Sequence, residues 1–460
     1  MNIKNIVKKI LCRGSFGPKA QIANLPQIAV DPNDYHVLEA PKLFRKRILE
    51  LIASAKKRIC ICALYLQNDE AGQEVMQALY QAITKNPQLY VRIYVDFHRA
   101  QRGLHGKGPQ IGNNAWYREL ASKQLLHPII YGVPVKKREV FGVLHLKGFV
   151  FDDTVLFSGA SLNNVYLEKF SAFRLDRYHE IVSDELADAM CNYCTNVFHQ
   201  NNAVQDLTQT IIPTAKELSL EIKGLRKILS NTGYHFDKEE ISNKKIGITP
   251  LVGLGRKNNL LNKTIVQLIN AAEQKIVMFT PYFNLPSAMQ KSLNQALNRG
   301  VEVTMLVGDK TANDFYIREG EEFNKVGAVP YLYEMNLREF VANHEEYIKK
   351  GTLKVNLWKN GNNTYHVKGI SIDREYTLIT GNNFNPRAWG LDLENGLLIH
   401  DVNHLLQEKF MHERLFLMQY SKPITSHEEL QSFDTYPEEI KKLITRVKKL
   451  GMQLLLRRLL

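Results

Sequence analysis

Cysteine is scarce in this chain: five in 460 residues, at Cys12, Cys60, Cys62, Cys191 and Cys194. An odd and sparse set in a chain this long argues against a disulfide framework and fits a reducing cytoplasm. Cys191 and Cys194 form one CxxC, but no second such pair completes a zinc site. Their surroundings, ELADAMCNYCTNVF, read as a packed helix. Long apolar runs are missing too. No window approaches eighteen uncharged apolar residues, so no transmembrane helix is expected. The basic N-terminus MNIKNIVKKILCRG lacks the continuous apolar stretch of a secretory signal. Ile3, Ile6, Val7, Ile10 and Leu11 recur there at helical spacing, as in a short amphipathic helix on a membrane surface. Acids are short relative to bases, 47 against 60, for a net charge of +13. That excess favours a polyanionic partner, either nucleic acid or an anionic membrane.

The apolar fraction, 44%, is that of a globular protein. The length exceeds one ordinary core and predicts two domains or one domain duplicated. The chain is in fact an internal repeat. ILELIASAKKRICICALYLQN (48–68) parallels IVQLINAAEQKIVMFTPYFNL (265–285), with Tyr65 matching Tyr282; core filling is expected of both tyrosines. A helix then follows in each copy (EVMQALYQAITK, AMQKSLNQALNRG), and after it a strand (VRIYVD, VTMLVG). Helices alternating with apolar strands predict an α/β sandwich with largely parallel strands. Only two large copies exist, so the repeat is a duplicated domain rather than a solenoid.

Each copy carries His-x-Lys, four residues, then Asp: His145, Lys147 and Asp152, and His366, Lys368 and Asp373. On a strand, positions two apart share a face, so each His and Lys project together. Gly159 and Gly381 follow, and Asn163 and Asn385 each lie four residues beyond their glycine. The chemistry this set suits is phosphoryl-type transfer. Two lysines and two asparagines can neutralise and hydrogen-bond one phosphate. One unprotonated histidine can attack phosphorus while the other moves protons on the leaving and incoming oxygens. With that much cationic charge the site needs neither metal nor cofactor. The motif aspartates are expected to orient neighbours or cap a turn. Asp176 and Glu394 each precede a short apolar run and can back the histidine rings, with Glu180 a weaker rival.

This duplicated motif resembles the phospholipase D superfamily, and phrases such as YGVPVKKREVFGVLHLKGF, TPYFNLP, VGDKTANDFYI and TGNNFNPRAWGLDLENGLLIHD resemble its bacterial phosphatidylserine synthases, from about residue 25 to the basic C-terminus. The resemblance implies two pseudo-symmetric halves with the active site at their interface. It also implies a phosphatidyl group passing from CDP-diacylglycerol to L-serine through a phosphatidyl-histidine, with CMP released. His145 would then be the nucleophile and His366 the acid/base; the residues themselves do not break that symmetry. Arg99, Arg102 and Lys310, in loops after equivalent strands, could meet the second CDP phosphate or the serine carboxylate. One departure is visible: Ala160 stands after Gly159 where the superfamily usually has Ser, and Asn382 stands after Gly381.

The expected segments are a basic N-terminal stretch (1–24), a first half (25–203), a helical connector (204–246), a second half (247–430) and a C-terminal amphipathic helix (431–460). In that helix Ile440, Leu443, Ile444, Val447, Leu450 and Leu454 form an apolar stripe beside seven cations, the composition of an interfacial helix on anionic lipid. Peripheral association with the inner face of the cytoplasmic membrane is therefore expected, with no requirement for nucleic acid. Cardiolipin synthase or a hydrolase, using the same chemistry with another acceptor, is the alternative. A membrane-docking binding protein would have lost part of one motif copy.

Overall fold

The computed structural model describes residues 17–103, 112–318, 320–322 and 324–449. Two large mixed sheets, one per repeat, share an apolar core. The first runs in the order Gln205–Asp206, Ile129–Val133, Tyr90–Asp96, Arg58–Cys62, Gly148–Phe151, Thr154–Ser158, Tyr178–Val182, Tyr35–Leu38. The second runs Ile28–Val30, Ile246–Leu254, Leu393–His400, Tyr376–Thr380, Gly369–Ile372, Lys275–Thr280, Glu302–Gly308, Leu353–Trp358, Ser421–Ile424. The α/β sandwich is present, but its strands are not largely parallel. Only three neighbouring strands in each sheet run parallel. The physical reason lies in the motif. Asp152–Asp153 and Asp373–Glu375 close tight hairpins, and a hairpin forces the next strand antiparallel.

Helices lie where the apolar spacing predicts them. Glu70–Lys85 is capped by Asp69, whose carboxylate accepts from the Gly72 amide, and it buries Val75, Met76, Leu79 and Ile83. Leu260–Ala271 is capped in the same way by Asn259. Cys191 and Cys194 sit on the helix Asp184–Cys194, buried with Cys60 and Cys62 as free thiols.

The halves exchange elements. Ile28–Val30, which the sequence assigns to the first half, pairs with Ile246–Ile248 on the second sheet. Conversely Gln205–Asp206, from the connector, extends the first sheet. The helix Gln407–Met418 belongs by sequence to the second half, yet its Glu413 accepts two hydrogen bonds from Arg177 (2.8 and 2.7 Å) inside the first. One apolar core spans the first sheet and continues onto Ile246, Leu393 and Leu397 of the second. This shared packing fixes the halves to each other, as the site requires.

Helix Glu438–Lys449 docks on the body. Ile440 and Ile444 are buried with Ala328, Tyr331 and Tyr436, so the first part of the expected lipid-facing stripe is covered by protein. Its continuation, Leu450 and Leu454, and the N-terminal stripe from Ile3 to Leu11 lie outside the described residues. Among the described residues no helix is long and apolar enough to cross a membrane.

Candidate active site

The two His-x-Lys segments do not lie on the sheet strands themselves. Each strand starts at the glycine after the lysine, Gly148 or Gly369, with φ of +139° and +146°. Few side chains tolerate that conformation, and a Cβ at Gly369 would also meet Arg177 Nη1 at 2.5 Å and Leu378 O at 2.7 Å. The kink turns the preceding residues out of their own sheet and toward the other half. Leu144 bridges Leu393, with His145 N donating to Leu393 O (3.0 Å). Thr364–Tyr365 pairs with Arg174–Leu175, with His366 N donating to Leu175 O (2.8 Å). The apolar run was legible in the sequence. The break was not, because a glycine inside a strand-like pattern does not announce its φ.

This cross-pairing hands each histidine an acid from the opposite half. His145 Nδ1 lies 2.9 Å from Glu394 Oε2. His366 Nδ1 lies 3.1 Å from Asp176 Oδ2, and Lys368 Nζ donates to the same oxygen at 2.8 Å. Among the described residues Lys147 Nζ hydrogen-bonds only to Ser161 Oγ, at 3.4 Å. The repeat glycines make room for the opposite lysine: a Cβ on Gly159 would sit 2.6 Å from Lys368 Nζ, and one on Gly381 3.0 Å from Lys147 Cγ. Glu180 belongs elsewhere, in a bidentate pair with Arg47.

Burial dominates the electrostatics. His145, Lys147, His366 and Lys368 are all under one-tenth exposed. Desolvation, then Lys147 and Lys368, hold His145 well below its ordinary range. Desolvation and Lys368 push His366 down to about 4, against the pull of Asp176. Desolvation, then Lys368, lower Lys147 to about 8. Burial alone would raise Asp176, but Lys368 and His366 outweigh it and keep the carboxyl below the usual range. Glu394 is pushed well above it, by burial and then by Asp392. Both imidazoles are thus neutral at neutral pH. With each Nδ1 turned to an acid, each Nε2 is the ring nitrogen left for chemistry, that of His366 with Tyr166 Oη at 3.5 Å.

The remaining expected residues divide. Asn163 donates to Tyr65 Oη (3.3 Å), and Asn385 caps the helix Pro386–Gly390 through the Ala388 amide. Asp152 and Asp373 lie at the far end of the hairpin strands. Asp152 accepts from the amides of Lys56, Lys57 and Arg58, and Asp373 from those of Glu273, Gln274 and Lys275. That is the turn-capping expectation, remote from the imidazoles. Arg102 forms a bidentate pair with Glu139, and Lys310 is buried against Glu334 (2.8 Å). Arg99 stacks on the Tyr65 ring, 4.8 Å from its centre, and among the described residues no carboxylate lies within ion-pair distance of it. Tyr65 and Tyr282 are buried, as expected of core residues, yet Tyr282 packs edge-on against His366.

Sequence reasoning missed three residues. Tyr166 Oη lies 3.0 Å from His366 Nδ1. Asn395 brackets Lys147, accepting from its amide (2.9 Å) and donating to its carbonyl (2.8 Å). Buried Asp96 accepts from the Leu144 amide (2.9 Å) and is raised to about 6 by burial. Each acts across a gap of 48 to 248 residues, and one sequence carries no signal for such a pairing.

Comparison with known proteins shows the family. Residues 48–167 and 265–414 match the family described as cardiolipin synthase, PLD-like domain. The chain is 44% identical to the CDP-diacylglycerol–serine O-phosphatidyltransferase PssA of Escherichia coli (strain K12), over 95% of this chain and 97% of that protein. The crystal structure of phosphatidylserine synthase from Haemophilus influenzae Rd KW20 superposes with a TM-score of 0.93 at 42% identity, covering 96% of this chain and 99% of that one. More distantly, the chain is 26% identical to the CDP-diacylglycerol–glycerol-3-phosphate 3-phosphatidyltransferase of Saccharomyces cerevisiae, over 87% of this chain and 84% of that protein.

Proposed function

Because this chain belongs to the phospholipase D-like family, in its phosphatidylserine synthase branch, we propose that it transfers the phosphatidyl group of CDP-diacylglycerol to L-serine through a phosphatidyl-histidine. The observation that carries the mechanism is the exchange of acids: Glu394 backs His145, while Asp176 backs His366 together with Lys368.

His145 attacks the phosphorus that bears diacylglycerol, a P–N bond forms, and CMP departs. Lys147, whose ammonium meets a hydroxyl and among the described residues no carboxylate within ion-pair distance, can meet the non-bridging oxygens as charge develops on them. The leaving group is itself a phosphate, of pKa about 6, and departs with little help from an acid. Serine's hydroxyl is a far weaker acid and needs a base. His366 is neutral and held by Asp176, so it suits that second step: it takes the hydroxyl proton as the P–O bond forms and the P–N bond breaks. Asn163 and Asn385 complete the phosphate's hydrogen bonding. Arg99, with no carboxylate in ion-pair distance among the described residues, offers a cation for the second phosphate of CDP.

The lipid reaches the site from an anionic membrane surface. The rim beside His145 supports this: Val140 and Phe141 are exposed at the tip of a loop flanked by exposed Lys137 and Arg138. The chain runs directly from that tip into the motif.

The test mixes the protein with CDP-diacylglycerol in detergent micelles containing chelator and labelled L-serine. CMP and labelled phosphatidylserine in equal amounts are expected. CMP without labelled lipid would replace this reading with hydrolysis or another acceptor.

A further inference from the structure

We propose that Arg174 and Asp314 form the acceptor subsite, holding the carboxylate and the ammonium of the amino-acid substrate beside His366. The proposal rests on the transfer reaction above and adds the residues that select its acceptor.

A phosphatidyl-histidine can be resolved by water, by a polyol or by an amino acid. Some group near the base must favour the zwitterion. In L-serine the ammonium and the carboxylate each lie three bonds from the hydroxyl oxygen, so their partners must sit within one small molecule's length of His366. Asp314 and Arg174 satisfy this. Tyr282 packs edge-on against the His366 ring (5.9 Å between ring centres) and donates through its Oη to Asp314 Oδ1 at 2.7 Å. Tyr166, whose hydroxyl reaches His366 at 3.0 Å, carries Arg174 over its ring, 4.9 Å from the ring centre. Arg174 Nη1 and Asp314 Oδ2 are 3.4 Å apart, a loose pair with side chains 16% and 20% exposed. Compare Arg177 and Glu413, bidentate at 2.7–2.8 Å with side chains only 4% and 6% exposed. The first pair keeps solvent access and poor mutual geometry, so a ligand bearing both charges can insert and satisfy each partner.

The repeat offers a control. Arg174 immediately precedes the cross-half bridge residue Leu175, and its counterpart before Leu393 is Asp392. Asp392 is engaged by Arg387 (3.0 Å) and by the Val143 amide (3.0 Å). Among the described residues, an opposite-charge pair in which both side chains keep solvent access therefore stands beside His366 and not beside His145, where Asp392 is 6% exposed. It stands beside the histidine that would activate the hydroxyl.

The experiment compares Asp314→Asn, Arg174→Gln and Arg174→Lys with wild type. The readouts are CMP release without acceptor and half-saturation by three acceptors: L-serine, ethanolamine (no carboxylate) and 3-hydroxypropionate (no ammonium). Each neutral variant is expected to raise half-saturating serine about tenfold or more, the loss of one charged hydrogen bond. Acceptor-free CMP release should stay within a few-fold of wild type, which also reports an intact fold. Arg174→Gln should narrow the preference for serine over ethanolamine and leave that over 3-hydroxypropionate unchanged. Asp314→Asn should do the reverse, and Arg174→Lys should recover part of the serine affinity. Unchanged serine saturation, or equal loss toward all three acceptors, would overturn the subsite. Wild type that releases CMP yet labels no lipid with serine would instead overturn the transfer reading.

Discussion

The two histidine pockets come from one repeated motif but are wired differently. Around His366, an acid, a lysine and a tyrosine converge on one ring nitrogen, and Asp176 stays ionised between Lys368 and the imidazole. Around His145 there is one acid, Glu394, itself resistant to ionisation, and the lysine stands apart, its backbone gripped on both sides by Asn395. The counterpart of Asn395 is Arg177, which turns away to Glu413. Duplication supplied matched parts, and the flanking residues broke the symmetry. The His366 side holds a charged relay suited to moving a proton. The His145 side holds a neutral ring beside a cation whose ammonium meets a hydroxyl, and attack on phosphorus through Nε2 requires Glu394 ionised, so that Nδ1 keeps the ring proton.

The largest effects should come from the histidines. His145→Ala is expected to remove both CMP release and lipid labelling of the protein, by about 10⁴-fold or more. His366→Ala should keep a single-turnover burst of CMP, because that leaving group departs unaided, and should stall before serine transfer. Rapid-quench measurement of CMP against protein-bound lipid separates the two. A burst in His145→Ala and none in His366→Ala would reverse the assignment.

The supporting acids should follow the same asymmetry. Asp176→Asn releases both His366 and Lys368 and should lower serine transfer about 10–100-fold. Glu394→Gln releases only His145 and should affect CMP formation more than transfer. Equal effects on both steps from both variants would show that the two pockets act as one unit.

Much of this was legible from the chain alone. The duplication and the paired His-x-Lys follow from spacing and repetition, and two copies make each stronger than either would be singly; Asp176 and Glu394 stand out from the residues alone only as acids before short apolar runs. What the sequence could not convey is which half an acid serves. Asp176 is 31 residues from His145 in sequence, yet it serves His366. Nor could it show that Lys310 is committed to Glu334 while Arg99 is not, because an ion pair depends on positions 24 residues apart on a loop and a helix. The first part of the expected membrane-facing stripe, Ile440 and Ile444, is covered by protein for a related reason. Amphipathicity shows that a face will be covered, and here Tyr331 and Tyr436 cover it.

The pH dependence sharpens the comparison further. His366, lowered to about 4, stays an available base through the neutral range. Lys147, lowered to about 8, loses its proton above that pH. For the free enzyme kcat/KM should therefore be level from about pH 5 to pH 8 and decline above it, and Lys147→Arg, always charged, should move the decline upward.

The smallest effect is on the fold itself. Lys147 is about 1% exposed and keeps its charge against desolvation first and Lys368 second. Its pKa is below the unfolded value, so between about pH 8 and 10.5 the unfolded chain binds more protons than the folded one, and stability rises with pH across that window. Below it the charge costs the fold about 3 kcal/mol. Lys147→Met, similar in length and uncharged, should be inactive yet raise the denaturant midpoint at pH 7. Lys368→Met should not, because removing that charge strands Asp176 beside His366 without its cation. Equal stabilisation by both variants would mean that the two lysines are held alike, and that the wiring difference between the pockets has no energetic consequence.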